Sequence, residues 1–250
     1  MTSSENQTII EIQSSEIKTN LSSKYIITDF RTYIKKKFGR RVNLVNNQTE
    51  NNQVTLIGHI VSGFTFSHEV YGEGFYMLEV DVKRLSGTVD RIPVMVSERL
   101  VDVSQEYCGE AVYLTGQFRS FNQQGESRKH LMLYVFAREF LFLEKAEASE
   151  EQNQIFLDGY ICKEVLYRKT PQEREIADVL VAVNRSYGKS DYIPCILWGR
   201  NAQYIANFPV GTRVQLWGRV QSRGYVKKLG ENEAEPRIAY EVSVSKVNLP

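Results

Sequence analysis

The stretch IADVLVAVNRSYGKSDYIPCILWGRNAQYIANFPVGTRVQLWGRVQSRGY, residues 176–225, decides the fold. Val179, Val181 and Val183 alternate with other residues, as do Ile193, Cys195 and Leu197. A period of two over such lengths marks a pair of half-buried strands. Between them, Ser186-Tyr187-Gly188-Lys189-Ser190 supplies turn-forming residues. After Trp198-Gly199, the apolar residues Ala202, Ile205, Ala206 and Phe208 fall at helical spacing. Asn201 is the expected N-cap, and Pro209 with Gly211 ends the helix. Alternation resumes at Val214, Leu216, Gly218 and Val220. Strand, strand, short helix, strand is the central part of a partly open, five-stranded Greek-key barrel, the OB fold. The other face of those strands carries Arg185, Tyr187, Tyr192, Trp198, Arg219, Arg223 and Tyr225. Aromatics interleaved with arginines compose a stacking platform for single-stranded nucleic acid.

The whole chain has room for two domains of this size with a tail. Apolar content of 42% with 24% charged residues describes a folded, soluble protein rather than a disordered one. No apolar run has the length of a membrane span, and the N-terminus lacks a signal-like block, so a cytoplasmic setting is expected. Cys108, Cys162 and Cys195 are far apart and read as buried thiols, neither a disulfide framework nor a zinc site. His59, His68 and His130 show no metal-ligand spacing. The carboxylates do not cluster into an acid/base or metal site, and nucleophile-elbow and P-loop patterns are absent from the sequence. No catalysis, metal or cofactor is expected. Charge is uneven: residues 1–52 hold eight basic and five acidic side chains, residues 53–143 eight and eleven, and residues 153–250 fourteen and ten. Polyanion binding therefore belongs to the ends of the chain.

A repeat sets the domain plan. Asn52 to Ile60 matches Asn153 to Ile161 at an offset of 101 residues (153 − 52). At that offset Val80, Val82, Arg84, Gly87, Asp90, Ile92 and Pro93 fall on Val181, Val183, Arg185, Gly188, Asp191, Ile193 and Pro194. One residue later in register, Gly109, Val112, Leu114, Gly116 and Ser120 fall on Gly211, Val214, Leu216, Gly218 and Ser222. The expected architecture is all-β, two tandem OB barrels behind a partly disordered, partly helical N-terminal segment. Its divisions are a polar segment 1–52 with a basic amphipathic helical stretch at 25–41, a first barrel 53–143, an acidic linker 144–152 and a second barrel 153–250. In the second barrel the strands are expected at 154–162, 177–185, 191–198, 212–225 and 237–247, with a charged hairpin loop from Lys227 to Pro236.

The second repeat resembles the bacterial single-stranded-DNA-binding protein (SSB) family. The resemblance lies in Asn153 leading to Gly159, in Tyr192 to Trp198-Gly199, and in Gly218-Arg219-Val220-Gln221-Ser222-Arg223-Gly224-Tyr225. It implies an OB barrel that stacks bases on four aromatics, here Tyr187, Tyr192, Trp198 and Tyr225. Phosphate contacts are expected from Arg185, Arg219, Arg223, Lys227 and Lys228. The first repeat has Ser86, Arg91 and Ser97 where the second has Tyr187, Tyr192 and Trp198. At roughly 1–3 kcal/mol per base stack, that loss removes useful binding by the first copy alone. It reads as a degenerate barrel with a structural or interaction role. The family works as an oligomer of single barrels, which implies a dimer of tandem chains here. The family's acidic C-terminal tail has no counterpart in the closing residues Ser245 to Pro250, so partner recruitment by that route is not expected. The expected function is sequence-nonspecific binding of single-stranded DNA in replication, repair or recombination. RNA is an alternative ligand, because stacking does not read the sugar. The alternative function is an interaction module of a primosome-like assembly.

Overall fold

The computed structural model describes residues 26–27, 51–124, 129–144, 152–228 and 234–250. The backbone of Ile26–Ile27 forms strand β1. The first barrel is built from β2 (Asn52–Ile60), β3 (Thr65–Val70), β4 (Glu73–Lys83), β5 (Val89–Ser97), β6 (Ala111–Gln124) and β7 (Lys129–Leu143). The second repeats it with β8 (Asn153–Ile161), β9 (Leu166–Lys169), β10 (Glu175–Asn184), β11 (Ser190–Trp198), β12 (Arg213–Lys228) and β13 (Ala234–Asn248). A short helix, α1 (Arg200–Ile205), follows β11.

Each repeat closes on itself. In the first, β2 pairs with β4, β4 with β5, β5 in parallel with β7, β7 with β6, and β6 with β2. The second closes identically through β8, β10, β11, β13 and β12. This is the five-stranded barrel expected from the alternation. The inward residues are the alternating ones: Val181, Ile193, Leu197, Val220 and Val242 are fully buried, as are Val80, Ile92, Leu114, Phe118 and Val135. Ala202 and Ile205 of α1 are also fully buried. Gly116 and Gly218 occupy equivalent bulges, where a Cβ would collide with the carbonyl of Phe136 or Ser243 on the neighbouring strand.

The sequence expectations need correction at several places. The N-cap of α1 is Gly199 in a positive-φ conformation, not Asn201; the Asn201 side chain instead donates to the Ser245 carbonyl at 2.9 Å. β12 and β13 run to Lys228 and from Ala234, so Lys227, Lys228 and Ala234 to Pro236 of the expected loop are paired strand, and 229–233 lie outside the described residues. β3 and β9 were not legible, because every residue in them is exposed and no apolar alternation marks them. Ile26–Ile27, inside the expected helix, lies parallel to Phe142–Leu143 of β7. The rest of 25–41 and most of the linker lie outside the described residues. Cys108 is exposed rather than buried, and Cys162 is half-buried.

The barrels join through their first strands. β2 and β8 pair antiparallel, Asn52 opposite Leu157 and Leu56 opposite Asn153. Equivalent residues exchange places across an internal pseudo-twofold, the isologous geometry of a symmetric dimer built into one chain. Asn52 begins its strand by bracketing Phe118, donating to its carbonyl at 2.7 Å and accepting its N–H at 2.9 Å. Asn153 does the same to Val220, at 2.7 and 2.9 Å.

A reciprocal polar clasp completes the junction. The long β6–β7 hairpin reaches the other barrel, where the Ser120 N–H donates to Asp191 Oδ1 at 2.7 Å. The β12–β13 hairpin returns the contact, Ser222 N–H to Asp90 Oδ1 at 2.8 Å. Each carboxylate is buried and also meets an arginine of its own barrel, Arg84 at 2.5 Å from Asp90 and Arg185 at 3.0 Å from Asp191. Burial pushes the Asp191 carboxyl above its ordinary range, against the pull of the Ser120 N–H and of Arg185 and Arg119. Arg84/Arg185, Asp90/Asp191 and Ser120/Ser222, which in sequence are repeat matches with Arg185 also expected to contact phosphate, are thus the junction itself. Asp191→Ala leaves Arg185 and Arg119 without their shared counter-charge; denaturant unfolding is expected to show a loss of about 3–5 kcal/mol. Lys163→Ala, on an exposed turn, should stay within about 0.5 kcal/mol.

Candidate nucleic-acid interface

Strand register places the expected residues. Ile196 of β11 lies opposite Ser243 of β13, which lies opposite Arg219 of β12. Further along, Arg223 faces Ala239 and Tyr225 faces Arg237. Directly opposed residues share a face, and so do alternate residues along a strand. Tyr192, Trp198, Arg219, Arg223 and Tyr225 therefore stand together on the outer face, while Ile193, Leu197, Val220 and Val242 point inward. Tyr192, Trp198 and Tyr225 keep 43%, 41% and 38% of their surface exposed.

Tyr187 is at the tip of the β10–β11 turn and is 99% exposed. Its backbone is left-handed, φ 62° and ψ 33°. A bulky residue pays for that conformation in steric strain, and such strain clusters at functional sites. An unburied tyrosine held this way gains no packing in return.

The cations divide into two kinds. Arg185 is committed to the buried Asp191 and also reaches the Ser120 carbonyl at 3.4 Å, so its first role is at the junction. Arg223 approaches Glu241 at 3.4 Å with 55% of its side chain exposed, which leaves it able to meet a second partner. Arg219 is half-buried and donates to Gln221 at 3.5 Å. Lys227 lies opposite Glu235 near the hairpin tip; the side chain of Lys228 is outside the described residues. Sequence reasoning missed Arg237, directly opposite Tyr225, because the pairing depends on the register between β12 and β13. It also missed Arg119, whose guanidinium lies 3.9 Å over the Phe136 ring.

In the first barrel the equivalent positions are occupied otherwise. Arg91 makes a two-pronged pair with Asp81, at 2.8 and 3.0 Å. Ser97 donates to the Glu73 carboxylate, and Ser86 to Thr88. Aromatics reappear on this outer face at different strand positions. Phe75, opposite Ser97, stacks on His68 with centroids 5.1 Å apart, and lies 5.8 Å from Phe136. Phe121 stands where the second barrel has Arg223, and is 58% exposed.

Among the described residues no cluster of His, Cys, Asp and Glu could hold a metal, and no helix is long and apolar enough to cross a membrane. Residues 152–249 match the single-strand binding protein family. "Single-stranded DNA-binding protein 3" of Streptococcus agalactiae is 33% identical over 86 residues, 32% of this chain and 62% of that protein. "Single-stranded DNA-binding protein A" of Bacillus subtilis is also 33% identical over 86 residues, covering half of its length. The chain thus aligns with about half to two thirds of these relatives. In three dimensions it is similar to the wild-type single-stranded DNA binding protein from Thermus aquaticus, with a TM-score of 0.63 at 17% identity over 80% of this chain and 92% of that one. That likeness covers both barrels and concerns the fold alone. The strain at Tyr187 can be read directly: Tyr187→Asn, a residue that tolerates a left-handed backbone, is expected to raise unfolding stability by about 0.5–1 kcal/mol in a denaturant titration.

Proposed function

We propose that this chain, whose residues 152–249 match the single-strand binding protein family, binds single-stranded DNA without strong sequence preference and without catalysis. The observation that carries the reading is the shared outer face: Tyr192, Trp198 and Tyr225, all exposed, alternate there with Arg219 and Arg223. Arginines capture the backbone, and unpaired bases then stack on the rings. Tyr187, exposed at its turn, adds a fourth ring that can close over a bound strand. Lys227 extends the cationic track toward the hairpin tip, and Lys228 and Arg237 complete the contact set. Arg185 shapes the site from the junction. Duplex DNA hides its base faces and binds poorly. The setting is cytoplasmic replication, repair or recombination.

The division of labour follows the barrels, with the second as the DNA platform and the first as its built-in partner. By likeness to a family of oligomeric single barrels, a dimer of tandem chains is the assembly proposed, which sedimentation reads directly. A second reading, an adaptor barrel in a primosome-like assembly, draws on the aromatic face of the first barrel around Phe75, Phe121 and Phe136.

Titration with oligo-dT at several salt concentrations tests the first reading. Affinity should fall with salt at a log–log slope of about −0.7 per phosphate contact. Trp198→Ala should weaken binding by about 1–3 kcal/mol, roughly 5- to 150-fold. Absence of salt-dependent binding to oligo-dT would move the function to the adaptor reading, and tight binding untouched by Trp198→Ala and by a Tyr192→Ala, Tyr225→Ala double variant would put the strand on another face.

A further inference from the structure

A cleft of about 870 Å3 lies between the β4–β5 turn of the first barrel and the outer face of the second. Lys83 and Arg84 form one wall, Phe156 of β8 and Trp217 of β12 line another part, and Arg219 contributes beside Trp217. The Phe156 and Trp217 rings are 5.0 Å apart at a tilt of 41°, and Lys246 Nζ lies 4.7 Å over the indole. Among the described residues, three cations line the cleft and no carboxylate does.

Those cations are not equally satisfied. Arg84 donates twice to Asp90, at 2.6 and 2.5 Å, which uses up the buried negative charge. Arg219 Nε is buried and makes no hydrogen bond among the described residues. Burial, and then the neighbouring Arg84 guanidinium, push the Arg219 pKa below its ordinary value, while Asp90 only partly compensates. A guanidinium with an unused donor, crowded by another, is relieved by an arriving anion that accepts from both. Lys83 adds an exposed charge at the rim.

Position in the strand ties this cleft to the platform. Trp217, Arg219, Arg223 and Tyr225 alternate along the outer side of β12, and the eight steps from Trp217 to Tyr225 span roughly 26 Å. One strand thus carries the cleft at one end and the stacking face at the other.

We propose that the cleft is a second subsite for single-stranded nucleic acid. In it Lys83, Arg84 and Arg219 hold strand phosphates, and an unpaired base meets the Trp217–Phe156 pair. This rests on the reading of the second barrel as a single-strand platform. It gives the first barrel a direct part in binding, through its β4–β5 turn.

Trp198 and Trp217 are the two tryptophans of the chain, so each can report alone. Trp217→Phe leaves the platform reporter, and Trp198→Phe leaves the cleft reporter. Oligo-dT titrations with short and progressively longer strands should quench Trp198 at every length and Trp217 only with the longer ones. Lys83→Gln, at an exposed side chain, should weaken the Trp217 response about 5-fold or more and make its salt slope shallower by about 0.7. Thermal melting of that variant checks that the fold is unchanged. A Trp198 response with Trp217 silent at all lengths overturns the subsite while leaving the platform standing. If sedimentation then shows a dimer that dissociates in Trp217→Arg, the cleft face belongs to a second copy of the chain. Silence of both reporters overturns the platform reading as well.

Discussion

Two buried carboxylates, Asp90 and Asp191, each accept a backbone N–H from a hairpin of the opposite barrel while facing an arginine of their own. A charge taken out of water is tolerated only where partners replace the lost hydration. Here part of that replacement comes from the other repeat, so neither site is complete in an isolated barrel. Apolar burial favours contact between the barrels without choosing a register. The polar clasp supplies the choice, because a slip of one residue would leave two buried charges short of a donor. The length of the β6–β7 and β12–β13 hairpins follows from this, since both must extend beyond their own barrel to deliver Ser120 and Ser222.

With the junction held symmetric, the outer faces have diverged. The second barrel keeps aromatics at Tyr187, Tyr192 and Trp198. In the first, the same positions hold an internally neutralised Arg91–Asp81 pair and a Ser97 engaged by Glu73. Its rings have moved to neighbouring strands, as Phe75 on β4 beside Ser97 illustrates. The two faces offer different surfaces on one scaffold.

Much of this was legible from residue order. Period-two alternation at Val179 to Val183 and Ile193 to Leu197 located the barrel strands, and the repeat offset gave two copies. The outward parity of Trp198, Arg219, Arg223 and Tyr225 came from the same alternation. Other features were hidden for physical reasons. β3 and β9 bury nothing, so no pattern records them. Arg185 read as a phosphate contact because its place at the junction emerges only on folding: the Asp191 it faces accepts the N–H of Ser120, 71 positions away. Phe75 and Arg237 needed the register between strands, which composition does not specify. The helix cap went to Gly199 rather than Asn201 because the chain leaves β11 with a positive φ, and Asn201 is used to tie α1 to Ser245.

The pairing of β2 with β8 is made within one polypeptide. Two separate barrels would have to find each other, and their partnership would fade on dilution; the tether makes docking a unimolecular step at a high effective concentration. A twofold assembly of identical subunits also copies every substitution into both halves. Covalent linkage lifts that constraint, so one half of the molecule can be altered while the other is held unchanged.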